Sequence, residues 1–215
     1  MELDEHEQGE LVQKWLRQNG SSLITGIAMG LALVFAWQWW QGKGVRQHEE
    51  AAGQYQAFSS AIEAKDAGKA RAISALLSDK FAETPYADLA ALRNAAFLQS
   101  NGKTDEALKL LRNARPKVQH PDMAEIFSLR IARLLLIANK PGEAAKELDA
   151  IDKPRFAEIA NELRGDAAVA QGHREDARKA YEKALTTLDQ AAPTRNLLEL
   201  KLIDAGGQPP AKPES

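Results

Sequence analysis

Nucleotide sites, metal sites and nucleophiles each need particular residues at particular spacings, and in this chain of 215 residues the nearest approach is to the first. Gly102-Lys103-Thr104 copies the end of a phosphate-binding loop, but that loop requires a glycine five residues earlier, where Phe97 stands. The four histidines, His6, His48, His120 and His173, are far apart, and none has another histidine one helical turn on. The chain has no cysteine, which removes disulfides, thiolate nucleophiles and cysteine-ligated metals. Its serines lack a GxSxG setting, and no paired carboxylates stand out from the solvated faces. These patterns give no catalytic constellation, no metal site and no cofactor, and no small-molecule substrate is expected. Three guanidinium groups remain, Arg130, Arg133 and Arg164, each among apolar neighbours. Either their stems are packed and their heads paired with acids such as Glu162 or Asp166, or they project into a groove and recognise a partner.

Charge narrows the partner. The chain carries 28 Lys and Arg against 30 Asp and Glu. Residues 1–20 hold Glu2, Asp4, Glu5, Glu7 and Glu10 against Lys14 and Arg17, a net of -3. Residues 21–40 carry no charge, so 41–215 hold 26 basic and 25 acidic residues, a net of +1. Nucleic-acid binding through phosphate contacts would need a basic excess that is absent, so no nucleic-acid partner is expected.

An uncharged run of twenty residues spans about 30 Å as a helix, the thickness of a bilayer's hydrocarbon core. The run SSLITGIAMGLALVFAWQWW ends in Trp37, Trp39 and Trp40, residues suited to a membrane interface. It is longer than a signal-peptide core, follows an acidic tail and lacks a small-residue cleavage site, so it reads as one uncleaved transmembrane helix. Upstream, Leu11, Val12, Trp15 and Leu16 share a helical face and suggest a short amphipathic helix on the membrane surface. Flanking basic residues are equal in number on the two sides, Lys14 and Arg17 against Lys43 and Arg46, so charge does not set the orientation. Within the span, Ser22, Gly26 and Gly30 are four apart and form a small-residue stripe, a candidate docking face for another membrane helix.

Beyond residue 41 apolar residues recur at intervals of three and four, as in Tyr55, Phe58 and Ile62, and breakers punctuate the chain at regular intervals. Three stretches align. Gly102-Lys-Thr-Asp-Glu-Ala107 is followed by Leu111 and Ala114, Asn139-Lys-Pro-Gly-Glu-Ala144 by Leu148 and Ile151, and Gly172-His-Arg-Glu-Asp-Ala177 by Tyr181 and Ala184. Seven residues before each turn stands Ala95, Ala132 or Gly165. Small residues where two helices approach, with a large residue filling the gap beside them, are the anatomy of the tetratricopeptide repeat. A looser hairpin precedes these, with helices over 45–65 and 69–81. After Pro193 an apolar helix containing Leu197, Leu198, Leu200, Leu202 and Ile203 is expected to cap the array.

The expected fold is therefore all-α: an N-terminal single transmembrane helix followed by a tetratricopeptide-like solenoid of helical hairpins. Its parts are a tail with an amphipathic helix (1–20), the span (21–40), the repeat domain (41–204) and a disordered tail (205–215). In such arrays the first helix of each hairpin, helix A, lines a concave surface that binds peptides. By register with Ala95, Ala132 and Gly165, the candidate surface comprises Leu92, Ala96, Gln99, Leu129, Arg133, Leu136, Glu162, Asp166 and Val169.

The acidic start with KWLRQNG, the span ending in WQWW, and the segments LRIARLLL and ELRGDAAVAQGHREDARKAYEKAL resemble, in this order, the ancillary subunits of the bacterial SecYEG translocon. The resemblance covers nearly all the chain except the tail. It implies a single-pass protein of the bacterial inner membrane, with a cytoplasmic N-terminus and a periplasmic repeat domain. It further implies, as partners, the SecYEG translocon and periplasmic chaperones or exported chains. The residues themselves leave three readings open: a tethered interaction scaffold without catalysis, an envelope enzyme that recruits substrate through its repeats, and a purely structural membrane oligomer.

Overall fold

A computed structural model describes residues 5–209. The first four residues of the expected N-terminal tail and 210–215 of the expected C-terminal tail lie outside the described residues, as do the side chains of Leu11, Val12, Leu16, Trp39 and Trp40. The described residues form α1 (Glu5–Glu63), α2 (Ala67–Lys80), α3 (Pro85–Ser100), α4 (Thr104–Ala114), a 3-10 turn (Arg115–Lys117), α5 (Pro121–Ile137), α6 (Pro141–Asp149), α7 (Ala157–Ala170), α8 (Arg174–Thr187) and α9 (Arg195–Asp204), with no strand among them. The chain divides into two units, 1–50 and 51–215.

In the first unit, Arg17–Gln38 is long and apolar enough to cross a membrane, 22 residues at a mean hydropathy of 1.7. Its large side chains are bare: Ile24 and Leu33 are each 69% exposed. Around Gly26 and Gly30 a β-carbon would meet nothing within 4 Å, so both positions lie open to an approaching helix.

The second unit stacks helical hairpins. Residues 51–63 pair with α2, α3 with α4, α5 with α6, and α7 with α8. Proline opens α3, α5 and α6, where its missing N–H costs nothing and its fixed φ suits the first turn. Asp66 caps α2, its Oδ1 accepting from the Lys69 backbone N–H at 2.9 Å.

One device ends five helices. At Lys65, Asn139, Gly102, Gly172 and Gly206 the backbone turns left-handed, with φ of 56°, 55°, 74°, 80° and 88°. Each time, that residue and the next donate to carbonyls of the last helical turn, as when Gly102 N reaches Gln99 O at 3.0 Å and Lys103 N reaches Leu98 O at 2.9 Å. The fifth closure changes the reading of the C-terminus. Gly206 donates to Ile203 O at 2.8 Å and Gly207 to Leu202 O at 2.9 Å, so the segment just after 205, expected to be loose, is a helix-ending turn. Gly206 stands 34 residues after Gly172, one repeat on, and α9 accordingly takes the place of a fifth helix A.

The aligned positions form the core as their spacing implies. Ala95, Ala107, Leu111, Ala132, Ala144, Leu148, Ala177 and Ala184 are all fully buried. Gly165 is a steric requirement, because a β-carbon there would overlap the Tyr181 ring. Ion pairs and clasps join successive hairpins: Arg112 to Glu143 at 2.9 Å, and Arg155 to Asp122 at 2.7 Å. The buried Glu125 carboxylate accepts the backbone N–H groups of Arg155 and Phe156, both at 2.9 Å, and so fixes the entry to α7.

Candidate functional site

The residues proposed for the concave surface occupy one face of α3, α5 and α7, since positions four and seven apart on a helix stand one above another. The structure sorts them into three groups. Leu92, Ala96, Gln99 and Leu136 are half-buried, with Leu92 and Leu136 leaning on the main core. Arg133 and Val169 are exposed, Val169 by 49%. Leu129 is only 6% exposed and is a core residue, because α5 packs between α3 and α7 and position 129 lies at that seam.

Glu162 and Asp166 are engaged from within the chain. Lys201 of α9 sends its Nζ to Glu162 Oε1 at 2.6 Å and to the two Asp166 oxygens at 2.8 and 2.9 Å. The Tyr181 hydroxyl donates to Asp166 Oδ1 at 2.8 Å. Burial pulls the Lys201 ammonium down, but the hydrogen bonds to Asp166 and Glu162 outweigh it and hold the group above its ordinary value. Burial, and then the Asp166 charge, push the Tyr181 hydroxyl far above its own. The two carboxylates therefore join the last hairpin to the fifth helix A. The sequence could not show this pairing, since Lys201 is 35 residues from Asp166.

The arginines go to other partners than the acids expected. Arg164 sends Nη2 to the carbonyls of Leu148 at 2.8 Å and Ile151 at 3.2 Å, and Nη1 to Asn161 Oδ1 at 3.2 Å, which ties α7 to the end of α6. Arg130 donates to Gln99 Oε1 at 3.5 Å. Burial, and then the charge of Arg133, lower the Arg130 guanidinium below its ordinary value. Neither Arg130 nor Arg133 has an acid within ion-pair distance among the described residues, so α5 places unneutralised positive charge beside the helix-A face.

A further feature of this face is not visible in the sequence. Among the described residues of the second unit, the large apolar side chains left exposed are Leu89, Ile137, Val169, Leu197, Leu200 and Ile203. Counted from the small residue of each hairpin, and from the turn at Gly206 for α9, all six fall on or beside the helix-A face that carries Leu92, Ala96 and Gln99. Solvated apolar residues collected on one face, with an arginine among them, are what a polypeptide-binding surface presents. The Gly172-to-Gly206 spacing was the signal that could have extended the register into α9.

Gly102-Lys103-Thr104 closes α3 and opens α4, a helix-ending turn and no phosphate cradle. The structure also holds a groove of about 640 Å³ between α2 and α4 over the other side of α3.

Three curated proteins resemble the chain, each named an ancillary SecYEG translocon subunit. That of Escherichia coli (strain K12) is 26% identical over 202 residues, covering 93% of this chain and 95% of its relative. Those of Aggregatibacter actinomycetemcomitans and Haemophilus influenzae are 21% and 22% identical over 182 residues, 85% of this chain and 89% of each relative. Residues 13–207 match the tetratricopeptide repeat-like domain family. Four stacked hairpins, a fifth helix A and a match across nearly the whole chain agree, and the chain belongs to the tetratricopeptide repeat-like domain family.

Proposed function

We propose that the chain is a membrane-anchored protein-interaction scaffold, an accessory of the Sec translocon that acts by binding and not by catalysis. The observation that carries the binding role is the collection of exposed apolar side chains, with Arg133, on the helix-A face. Relatives named as ancillary translocon subunits, matched over most of their length, supply the channel as partner. In this reading 21–40 is the anchor, with the Ser22–Gly26–Gly30 stripe against a channel helix. The repeats, from 41 onward, stand on the periplasmic side and receive exported chains or the chaperones that hold them. Close packing through small residues suits a bilayer, where lipid gives no hydrophobic drive between helices.

The test is co-purification of the full chain and its variants with the channel from membranes. Gly26→Leu with Gly30→Leu is expected to lower channel recovery and leave exported-side partners in place, while Arg133→Glu does the reverse. Equal loss of the same partners in both variants, or no loss in either, defeats the division of labour.

A further inference from the structure

The groove between α2 and α4 faces away from the surface just proposed. At 100° per residue, Asn94 on the groove floor lies about 140–160° around α3 from Leu92, Ala96 and Gln99. The reason for the opening is legible in the repeat register. The residue before the small position is Asn94 in one hairpin, Ile131 in the next and Arg164 in the third. Ile131 is fully packed in the core, and Arg164 is bound to the carbonyls at the end of α6. Asn94 fills its place with a shorter side chain, and α2 lines the groove with Ala67, Gly68, Ser74, Ala75 and Ser78, Arg71 being the one long side chain it contributes.

Two polar groups on the floor lack partners. Asn94 is 3% exposed and Ser74 is 7% exposed; both line the groove, and neither side chain hydrogen-bonds to any described residue. Their polar atoms stay open to the solvent of the groove, since the buried side-chain atom left without a partner among the described residues is Asn161 Nδ2, so a ligand here would take the place of water. Beside them lie the apolar side chains of Phe97, Leu98 and Leu110. The rim is basic: Arg71, Lys109 and Lys117 have no ion-pair partner among the described residues, and the acid lining the groove, Glu106, is held by Lys103 at 3.2 Å.

We infer that this groove is a second docking site, taking an extended acidic polypeptide segment that carries apolar side chains. The Asn94 amide and Ser74 hydroxyl meet its backbone, Phe97, Leu98 and Leu110 take an apolar side chain, and Arg71, Lys109 and Lys117 meet its carboxylates. An amide with both donors and an acceptor matches a peptide bond, which also presents both. A lipid phosphate, as an acceptor alone, leaves the amide's own acceptor unmatched.

The experiment is fluorescence anisotropy with the full chain in detergent micelles. The probes are labelled twelve-residue peptides alternating Glu with Leu, and the Lys–Leu counterpart. The Glu–Leu peptide is expected to bind at least ten-fold more tightly than the Lys–Leu peptide. Lys109→Glu with Lys117→Glu, two exposed substitutions, should lower its affinity ten-fold or more and narrow or reverse the preference. Asn94→Ile, which fills the floor as Ile131 does, should also weaken it, whereas Arg133→Glu on the opposite face should leave it unchanged. Equal binding of the two peptides, no binding, loss only with Arg133→Glu, or displacement of the peptide by phosphatidylglycerol micelles would each overturn the assignment. Because channel recovery and Arg133 play no part in the expected result, this site can fail while the scaffold reading stands, and the reverse.

Discussion

The ring of Tyr181 occupies the space that a side chain on Gly165 would need: a β-carbon there would overlap Cδ1, Cε1 and Cζ. Both residues belong to the last hairpin, and the contact lets α7 and α8 close to packing distance around a ring that is 2% exposed. Gly165→Ala is expected to cost about 1–3 kcal/mol, since the obstacle is the rigid face of a ring and not the end of a flexible chain. Gly142→Ala, where nothing lies within 4 Å, is the control and should be near neutral. Thermal unfolding of the detergent-solubilised chain measures both; an unchanged midpoint for Gly165→Ala would contradict the packing described.

Ala144→Leu tests the same geometry one hairpin earlier, where the side chain is fully buried between α5 and α6. Overpacking is again expected to cost about 1–3 kcal/mol. Retention of full stability would count against the repeat register.

Lys201→Met leaves Glu162 and Asp166 half-buried without their cation. The expected loss is about 1–3 kcal/mol, because the carboxylates keep their desolvation cost and lose their partner. Asp166→Asn and Lys201→Met should be less than additive in a double-mutant cycle, since either one breaks the same contact. Strict additivity would show that α9 is not held through this pair.

The same cluster sets an alkaline limit. Tyr181 and Lys201 are both held above their ordinary values of 10.0 and 10.5, so each binds its proton more tightly when folded. Their contribution is fully present below the unfolded values and is lost as pH rises through the folded ones. The stability gap between the natural chain and the Tyr181→Phe, Lys201→Met double variant should therefore be constant through neutral pH and narrow from about pH 10 upward. Denaturant titrations across that range measure it, and a gap that widens with pH would mean that the two groups hold their protons less tightly when folded.

For the topology, protease added to spheroplasts is expected to digest the repeat domain and spare the N-terminal tail. Protection of the domain would place it in the cytoplasm.

The elements and their spacing were readable because three turns repeat in phase and because only small residues fit where paired helices touch. Ala95, Ala132 and Gly165 carried that information. The apolar run before Trp40 was equally plain, being longer than any core helix of the domain. What escaped were contacts distant in sequence. Asp166 reads as a partner for the nearby arginines or as a groove charge until Lys201 arrives from α9, and Leu129 reads as a surface leucine until α5 packs against both α3 and α7. Asn94 gave no signal on its own. Only its place beside Ile131 and Arg164 in the register, and the short side chains of α2 across from it, show that the interior is incomplete there. Gly206 differs for another reason: a Gly- and Pro-rich ending reads as a tail, and only the hydrogen bonds of Gly206 and Gly207 show the turn.

The proposed scaffold requires that the anchor meet the channel while the repeats hold polypeptide on the other side. Site-specific photo-crosslinking in intact membranes tests it most directly, with the reactive group placed at Gly26 in one variant and at Val169 in another. The expected result is crosslinks from Gly26 to channel subunits, and from Val169 to exported chains or periplasmic chaperones. Crosslinks from both positions to further copies of this chain alone, or to no component of the export machinery, would contradict it.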